Sequence, residues 1–404
     1  MPEGWLPRST SSRWSPAADR TIGSATLPGS GKIAWVSNAA EFRARPAMTD
    51  DVLYARDGCL GRILLNRPKV INALTGQMVI SVLAQLRDWA GDDEVATVSI
   101  QGAGDRGLCS GGDVRALRTV LMQGSAGAVQ FWALEYEMNA AIDSYPKPFV
   151  AFMDGIVMGG GVGISAHGSL RLVTERSRIA MPETAIGYFP DVGSLFLLSR
   201  APGEIGTHLA MTGLAIGGAD AVTAGLADAL IESRDIAPLA ERLAAGESLK
   251  SDVGSTSTVG DLDADRSWIV ACYSGNDPVA IMKALRAHPA PGARRCAEVL
   301  RTRSPLAVSV ALEAIRRAGR MDTLAQVLEQ DLMLGGAFAS SPDFVDGVRA
   351  LLVDRDNAPH WRHGSLEDVD PAEVSRLFTG SRPGAVATAG EAVATAGEAV
   401  ANAG

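Results

Sequence analysis

The sequence predicts an α/β fold with internal repetition, followed by a helix-rich C-terminal region. Three observations predict it. Short β-rich runs alternate with longer segments of helical spacing through the first half of the chain. A strand–strand–helix unit recurs, at 52–89, 96–144, 148–166 and 170–187. After Gly193 the pattern turns helical.

Taken in order, residues 1–47 are rich in Ser, Pro, Arg and Ala and carry neither a clear period nor the apolar core of a signal peptide. They are expected to be a disordered extension. A transit peptide is the alternative, with Glu3, Asp19 and Glu41 against it. Patterning begins at Met48-Thr49-Asp50. Segments 52–55 and 60–65 suit two strands joined at Asp57-Gly58, and Asn66-Arg67-Pro68 breaks the second. Thr75 can cap a helix whose apolar positions are Met78, Val79, Val82, Leu83, Leu86 and Trp89. Residues 96–101 and 149–153 are the next strands; Asp154-Gly155 is a turn, and helical spacing runs on to about Ala166.

Eight helices are expected beyond Gly193, near 203–212, 218–225, 237–245, 263–273, 277–286, 291–302, 304–318 and 321–338. Ser304-Pro305 is a good start for one of them. Residues 250–260 read as a polar loop, and ATAGEAV occurs twice in a low-complexity tail, at 387–393 and 394–400. The expected organisation is an extension (1–47), an α/β core (48–235), a helical region (236–379) and a disordered tail (380–404).

Composition narrows the function. The chain has 404 residues, 47% of them hydrophobic, enough for a large core, and a net charge of −9. That charge argues against nucleic acid or an anionic membrane surface as the general partner. No apolar run reaches the roughly 20 residues needed to span a bilayer. Cys59, Cys109, Cys272 and Cys296 are widely spaced, without a CxxC or Cys/His metal pattern, which fits reduced thiols in the cytoplasm. Five histidines form no HExxH site, so no metal is expected.

Two glycine clusters each follow a strand-like run. One is Arg106-Gly107-Leu108-Cys109-Ser110-Gly111-Gly112-Asp113; the other is Gly159-Gly160-Gly161, just before a helix. Glycine lets a backbone pass close to a ligand and leaves N–H groups free to face it. Two such loops can each supply one N–H to a single oxygen, the geometry of an oxyanion hole; a phosphate cradle is the other use. Glu183 and Asp191 stand in apolar surroundings, after Met181-Pro182 and Phe189-Pro190. Taken singly, such glycines mark tight packing, and the acids could be a helix cap and a turn residue.

With NRPKVINAL (66–74), GLCSGGD (107–113), KPFVAFMDGIVMGGGVG (147–163), PETAIGYFPDVG (182–193) and the late FVDGVRALLVDRDNAPHW (344–361), the chain resembles the crotonase, or enoyl-CoA hydratase/isomerase, superfamily. The likeness runs from about Asp51 to Phe378. It implies a crotonase-like spiral of ββα repeats followed by a trimerisation or capping region, and so a homo-oligomer as one arrangement. It implies an acyl-CoA substrate, with coenzyme A as part of that substrate and no tightly bound cofactor. Matching motifs place the oxyanion donors on the backbone N–H groups of Cys109 and Gly160. Gly107, Gly111, Gly112, Asp113, Gly159 and Gly161 fall on the substrate and CoA side.

Hydratases of the superfamily use two glutamates. The position of the first is Gly163 here, while Glu183 matches the second and Asp191 stands where hydratases commonly carry glycine. The Glu183/Asp191 pair, with His167, is similar to the hydroxyacyl-CoA hydrolase branch. The implied reaction is hydrolysis of 3-hydroxyisobutyryl-CoA, in valine catabolism. Glu183 would attack the thioester or activate water, and Asp191 would bind the substrate hydroxyl or manage a proton. His167 reads more readily as a core residue. A hydratase or double-bond isomerase, and a catalytically silent CoA-binding protein, remain as alternatives. Glu installed at position 163 is expected not to improve hydrolysis and to permit slow hydration instead.

Overall fold

The computed structural model describes residues 42–45, 48–249 and 260–379. The expected polar loop lies mostly outside them, as do most of the N-terminal extension and the low-complexity tail.

A seven-stranded sheet organises the chain, in the order β1-β2-β3-β4-β5-β7-β9. Its strands are β1 (Arg43–Ala44), β2 (Val52–Asp57), β3 (Leu60–Leu65), β4 (Thr97–Gly102), β5 (Phe149–Met153), β7 (Leu170–Thr174) and β9 (Ala229–Ile231). The first three pair antiparallel, β2 and β3 as a hairpin; from β3 onward every pair is parallel. A parallel sheet needs crossovers. From β3 to β7 they are α1 (Gly76–Ala90), α2 (Val114–Gln123) with α3 (Ala126–Asp143), and α4 (Gly160–Ala166), and the helices Ser194–Leu198, Ile205–Thr212 and Gly218–Thr223 lead on to β9. The Thr75 hydroxyl accepts the Met78 N–H and starts α1 as the sequence predicts.

The repeat is visible in how each turn of the spiral is built. β6 (Ile156–Met158) and β8 (Arg178–Ala180) leave the large sheet after β5 and β7 and pair parallel with each other. In the 96–144 unit the second strand is reduced to single bridges, Gly107 to Gly155 and Cys109 to Val157. The first glycine loop is thus stitched onto β6.

Side chains cover both faces of the sheet, as parallel strands require. Ile63, Leu65, Val98, Ile100, Phe149 and Ala151 belong to the main core. Leu60, Val150, Phe152 and Leu172 point the other way, onto Ile236, Ala240 and Leu243 of the helix Ile236–Ala244. That helix closes the sheet, so the expected boundary at 235/236 falls inside one packed unit.

All eight expected C-terminal helices are present, from Ile205–Thr212 to Leu324–Phe338. Three short helices, Ser194–Leu198, Pro342–Val348 and Pro371–Leu377, are additions, too brief to show a period. Two expectations are corrected. β9 lies in a stretch read as helical, because three residues beside an existing strand need no β-rich run of their own. β1 lies inside the expected disordered extension: Arg43 and Ala44 pair with Tyr54 and Leu53, and Arg45 bonds Asp88 at 2.6 Å.

The helical region folds back on its own chain. Phe338 and Phe344 pack with Trp132 of α3 and with Tyr188 and Phe189.

Candidate active site

The two glycine loops meet. A Cβ on Gly160 would stand 3.2 Å from the Gly112 nitrogen, and one on Gly111 would stand 3.5 Å from the Gly160 nitrogen. The N–H groups of Gly112 and Gly160 carry no hydrogen bond among the described residues. Gly160 opens α4, where the first N–H groups of a helix have no partner within it.

Cys109, the expected partner of Gly160, is not free. Its N–H is committed to the Ile156 carbonyl at 3.1 Å, through the bridge to β6. Its thiol is buried, and burial pushes it up to about 12. The donor pair available to an oxyanion is therefore Gly112 and Gly160, a shift of three residues along the same loop.

The other expected binding residues divide. Gly107 and Gly161 are glycines for packing: a Cβ would meet the Ile156 nitrogen at 2.3 Å and the Cys109 carbonyl oxygen at 2.4 Å, respectively. Asp113 caps α2 through the Ala116 N–H and pairs with Arg67 at 3.1 Å. Gly111 and Gly159 turn the chain at positive φ, 106° and 51°.

Glu183 begins a 3₁₀ turn, Glu183–Ile186, and is buried. Its Oε1 lies 2.7 Å from where a Cβ on Gly159 would be, and its Oε2 has no hydrogen-bond partner. Burial first, then the nearby Asp191 and Glu135, raise this carboxyl well above its ordinary value. Asp191 is also buried, and Tyr136 donates to its Oδ2. Burial moves Asp191 up to about 7 despite that hydrogen bond, which pulls the other way.

The sequence reading missed a third carboxyl. Glu135, on α3, is buried with Oε1 unpartnered, 2.3 Å from where a Cβ on Gly160 would be. Burial and then the charge of Asp191 raise it well above the carboxylate range. One signal was available: Trp132, Glu135, Asn139 and Ile142 fall three or four residues apart, in one helical stripe, and all are buried. A glutamate in phase with that stripe has to face inward. Gly163 is closed, since a Cβ there would lie 2.7 Å from the Val192 Cβ and 3.0 Å from Asn139.

His167 sits at the end of α4, and its Nε2 donates to the Val192 carbonyl at 2.8 Å. Burial lowers it to about 4, so it is a neutral donor rather than a cation. Among the described residues no cluster of His, Cys, Asp or Glu could hold a metal ion. What remains is a buried site with two main-chain donors free among the described residues and two carboxyls, Glu183 and Glu135, set against Gly159 and Gly160. Such a place stabilises negative charge on a carbonyl oxygen while a carboxylate attacks or moves a proton.

The chain belongs to the enoyl-CoA hydratase/isomerase family, whose model matches residues 60–378. The spiral is accordingly of crotonase type. Mitochondrial 3-hydroxyisobutyryl-CoA hydrolases are among its relatives. That of Rattus norvegicus is 38% identical over 343 residues, 82% of this chain and 89% of the relative. That of Homo sapiens is 36% identical over 342 residues, 81% and 88%. A crystal structure titled a carnitinyl-CoA dehydratase, from Mycobacterium thermoresistibile, is 44% identical with a TM-score of 0.79, covering 83% of this chain and 98% of its own.

Proposed function

We propose that this chain is a thioesterase that hydrolyses 3-hydroxyisobutyryl-CoA to 3-hydroxyisobutyrate and coenzyme A, a step of valine catabolism. The observation that carries the reading is the buried Glu183 carboxyl, with Oε2 unpartnered and Oε1 beside Gly159, the neighbour in sequence of Gly160 and its free N–H. The relatives named as hydrolases of this thioester, matched along most of their length, support it.

In this reading the thioester oxygen sits between the Gly112 and Gly160 N–H groups, each fixed donor worth roughly 3 kcal/mol in a dry site. Glu183 takes a proton from a water that attacks the carbonyl carbon, or attacks that carbon itself to give a mixed anhydride. The C–S bond breaks and the thiolate leaves as coenzyme A; in the second route water then cleaves the anhydride, releasing 3-hydroxyisobutyrate and restoring Glu183. Asp191, steadied by Tyr136, receives the substrate hydroxyl or returns the proton. The chemistry calls for no metal or tightly bound cofactor. A cytoplasmic site rests on the cysteine pattern alone, and the relatives compared are mitochondrial.

A second reading, elimination or addition of water, has one observation in its favour. Glu135 supplies the second carboxyl, over Gly160, that Gly163 cannot. A single panel separates the two. With 3-hydroxyisobutyryl-CoA the purified protein releases free thiol, and Glu183→Gln lowers that release at least about 1,000-fold while retaining CoA-ester binding. Absorbance change with enoyl-CoA and no thiol release would establish the second reading instead.

A further inference from the structure

Asp191 is carried on a turn that the backbone alone does not favour. Val192 and Gly193 follow it at φ 54° and 71°. Positive φ is ordinary for glycine, whereas for a β-branched residue such as valine it is a strained conformation that its surroundings must hold. Two buried side chains from distant parts of the chain do so. His167, at the end of α4, donates to the Val192 carbonyl at 2.8 Å. Asp331, within the helix Leu324–Phe338, accepts the Gly193 N–H on Oδ2 at 2.8 Å. That helix also closes over the turn, since a Cβ on Gly193 would lie 2.4 Å from Leu324 and 3.2 Å from the His167 ring.

Asp331 is an expensive way to hold an N–H. It is fully buried, its Oδ1 has no partner, and burial and Asp191 together raise it well above the carboxylate range. No other described group answers it. A backbone N–H in a merely structural turn does not require an acid there.

We propose that Asp331 and His167 are positioning residues for Asp191, holding the Val192–Gly193 turn in its strained form so that the Asp191 carboxylate stays in the site. The C-terminal helix is then part of the catalytic apparatus rather than only a lid. The proposal rests on the reading of Asp191 as a working group of the hydrolase.

The experiment compares Asp331→Asn with Asp331→Leu, and His167→Gln with His167→Phe, in the full chain with 3-hydroxyisobutyryl-CoA. Asn keeps an acceptor for Gly193, and Gln keeps a donor for Val192. Expected are kcat values within about fivefold of wild type for Asn and Gln, and losses of about 30-fold or more for Leu and Phe, with KM nearly unchanged. The His167 pair decides the matter should Asp331→Leu fail to fold. Equal activity within each pair, or a loss confined to KM, overturns the proposal while the hydrolase reading stands. Asp191→Asn is the control, and wild-type turnover in it overturns both the positioning proposal and the role given to Asp191, while hydrolysis itself stands.

Discussion

The Tyr136 hydroxyl donates a 2.6 Å hydrogen bond to Asp191 Oδ2, so the helix that carries Glu135 also sets the electrostatics of the second carboxyl. A donor to the ionised form lowers a carboxyl's pKa, opposing the burial that brings Asp191 up to about 7. Tyr136→Phe is therefore expected to raise Asp191 further and to move the acid limb of kcat to higher pH. Turnover at pH 7 should fall about tenfold, with KM little changed. A pH profile of kcat checks this; a limb that stays in place would show that Asp191 does not govern it.

Buried acids with raised values make stability depend on pH in a definite direction. Asp191 goes from an ordinary 3.8 to about 7 in the folded protein. The folded state therefore holds the proton more tightly, and this contribution is complete below the unfolded value and lost as pH rises through about 7. Glu135, Glu183 and Asp331 are shifted in the same sense. Glu135→Gln removes one of these ionisable groups. Its Tm is expected to exceed that of wild type by about 2–4 °C at pH 8, and by less at pH 5. Thermal melts at the two pH values would detect the difference. A gap that widens toward pH 5 would refute the sign.

The glycine loops make separate predictions for three positions. Gly160→Val forces a side chain into the space of Glu135 Oε1 and toward the Gly112 N–H, so turnover should drop about 100-fold or more with the fold intact. Cys109→Ala should leave turnover within about threefold, because neither its committed N–H nor its thiol is used. Gly163→Glu should yield little folded protein, since its Cβ already collides with Val192 and Asn139. That replaces the expectation of slow hydration at this position. Circular dichroism and thiol release on the three variants test all of these.

The N-terminal edge gives a stability prediction. A chain beginning at Met48 lacks the β1 pairing to β2 and the contacts of Arg45 with Asp88 and Gln85. Two pairings at the sheet edge and a partly exposed ion pair are worth about 1 kcal/mol. Its Tm should lie about 1–3 °C below that of a chain beginning at Phe42, with kcat unchanged. Equal melting would mean that β1 adds nothing to the sheet.

Much of the molecule was determined by sequence alone. The β-rich runs, the spacing of α1, the Thr75 cap and the C-terminal helices rest on local rules, namely side-chain period, capping and turn chemistry, whereas Glu183 and Asp191 stood out by their apolar neighbours and by resemblance. Even Glu135 left a trace, as an acid in phase with a buried helical stripe. Tertiary structure decided what depends on partners far along the chain. Which N–H is free for an oxyanion depends on β6 having taken Cys109 and left Gly112. Whether position 163 has room depends on Val192 and Asn139. Asp331 reaches Gly193 across 138 residues of sequence, and no local pattern marks such a contact. Hydrogen-bond commitment, room and buried charge belong to pairs of residues, and those pairs exist only once the chain has closed on itself.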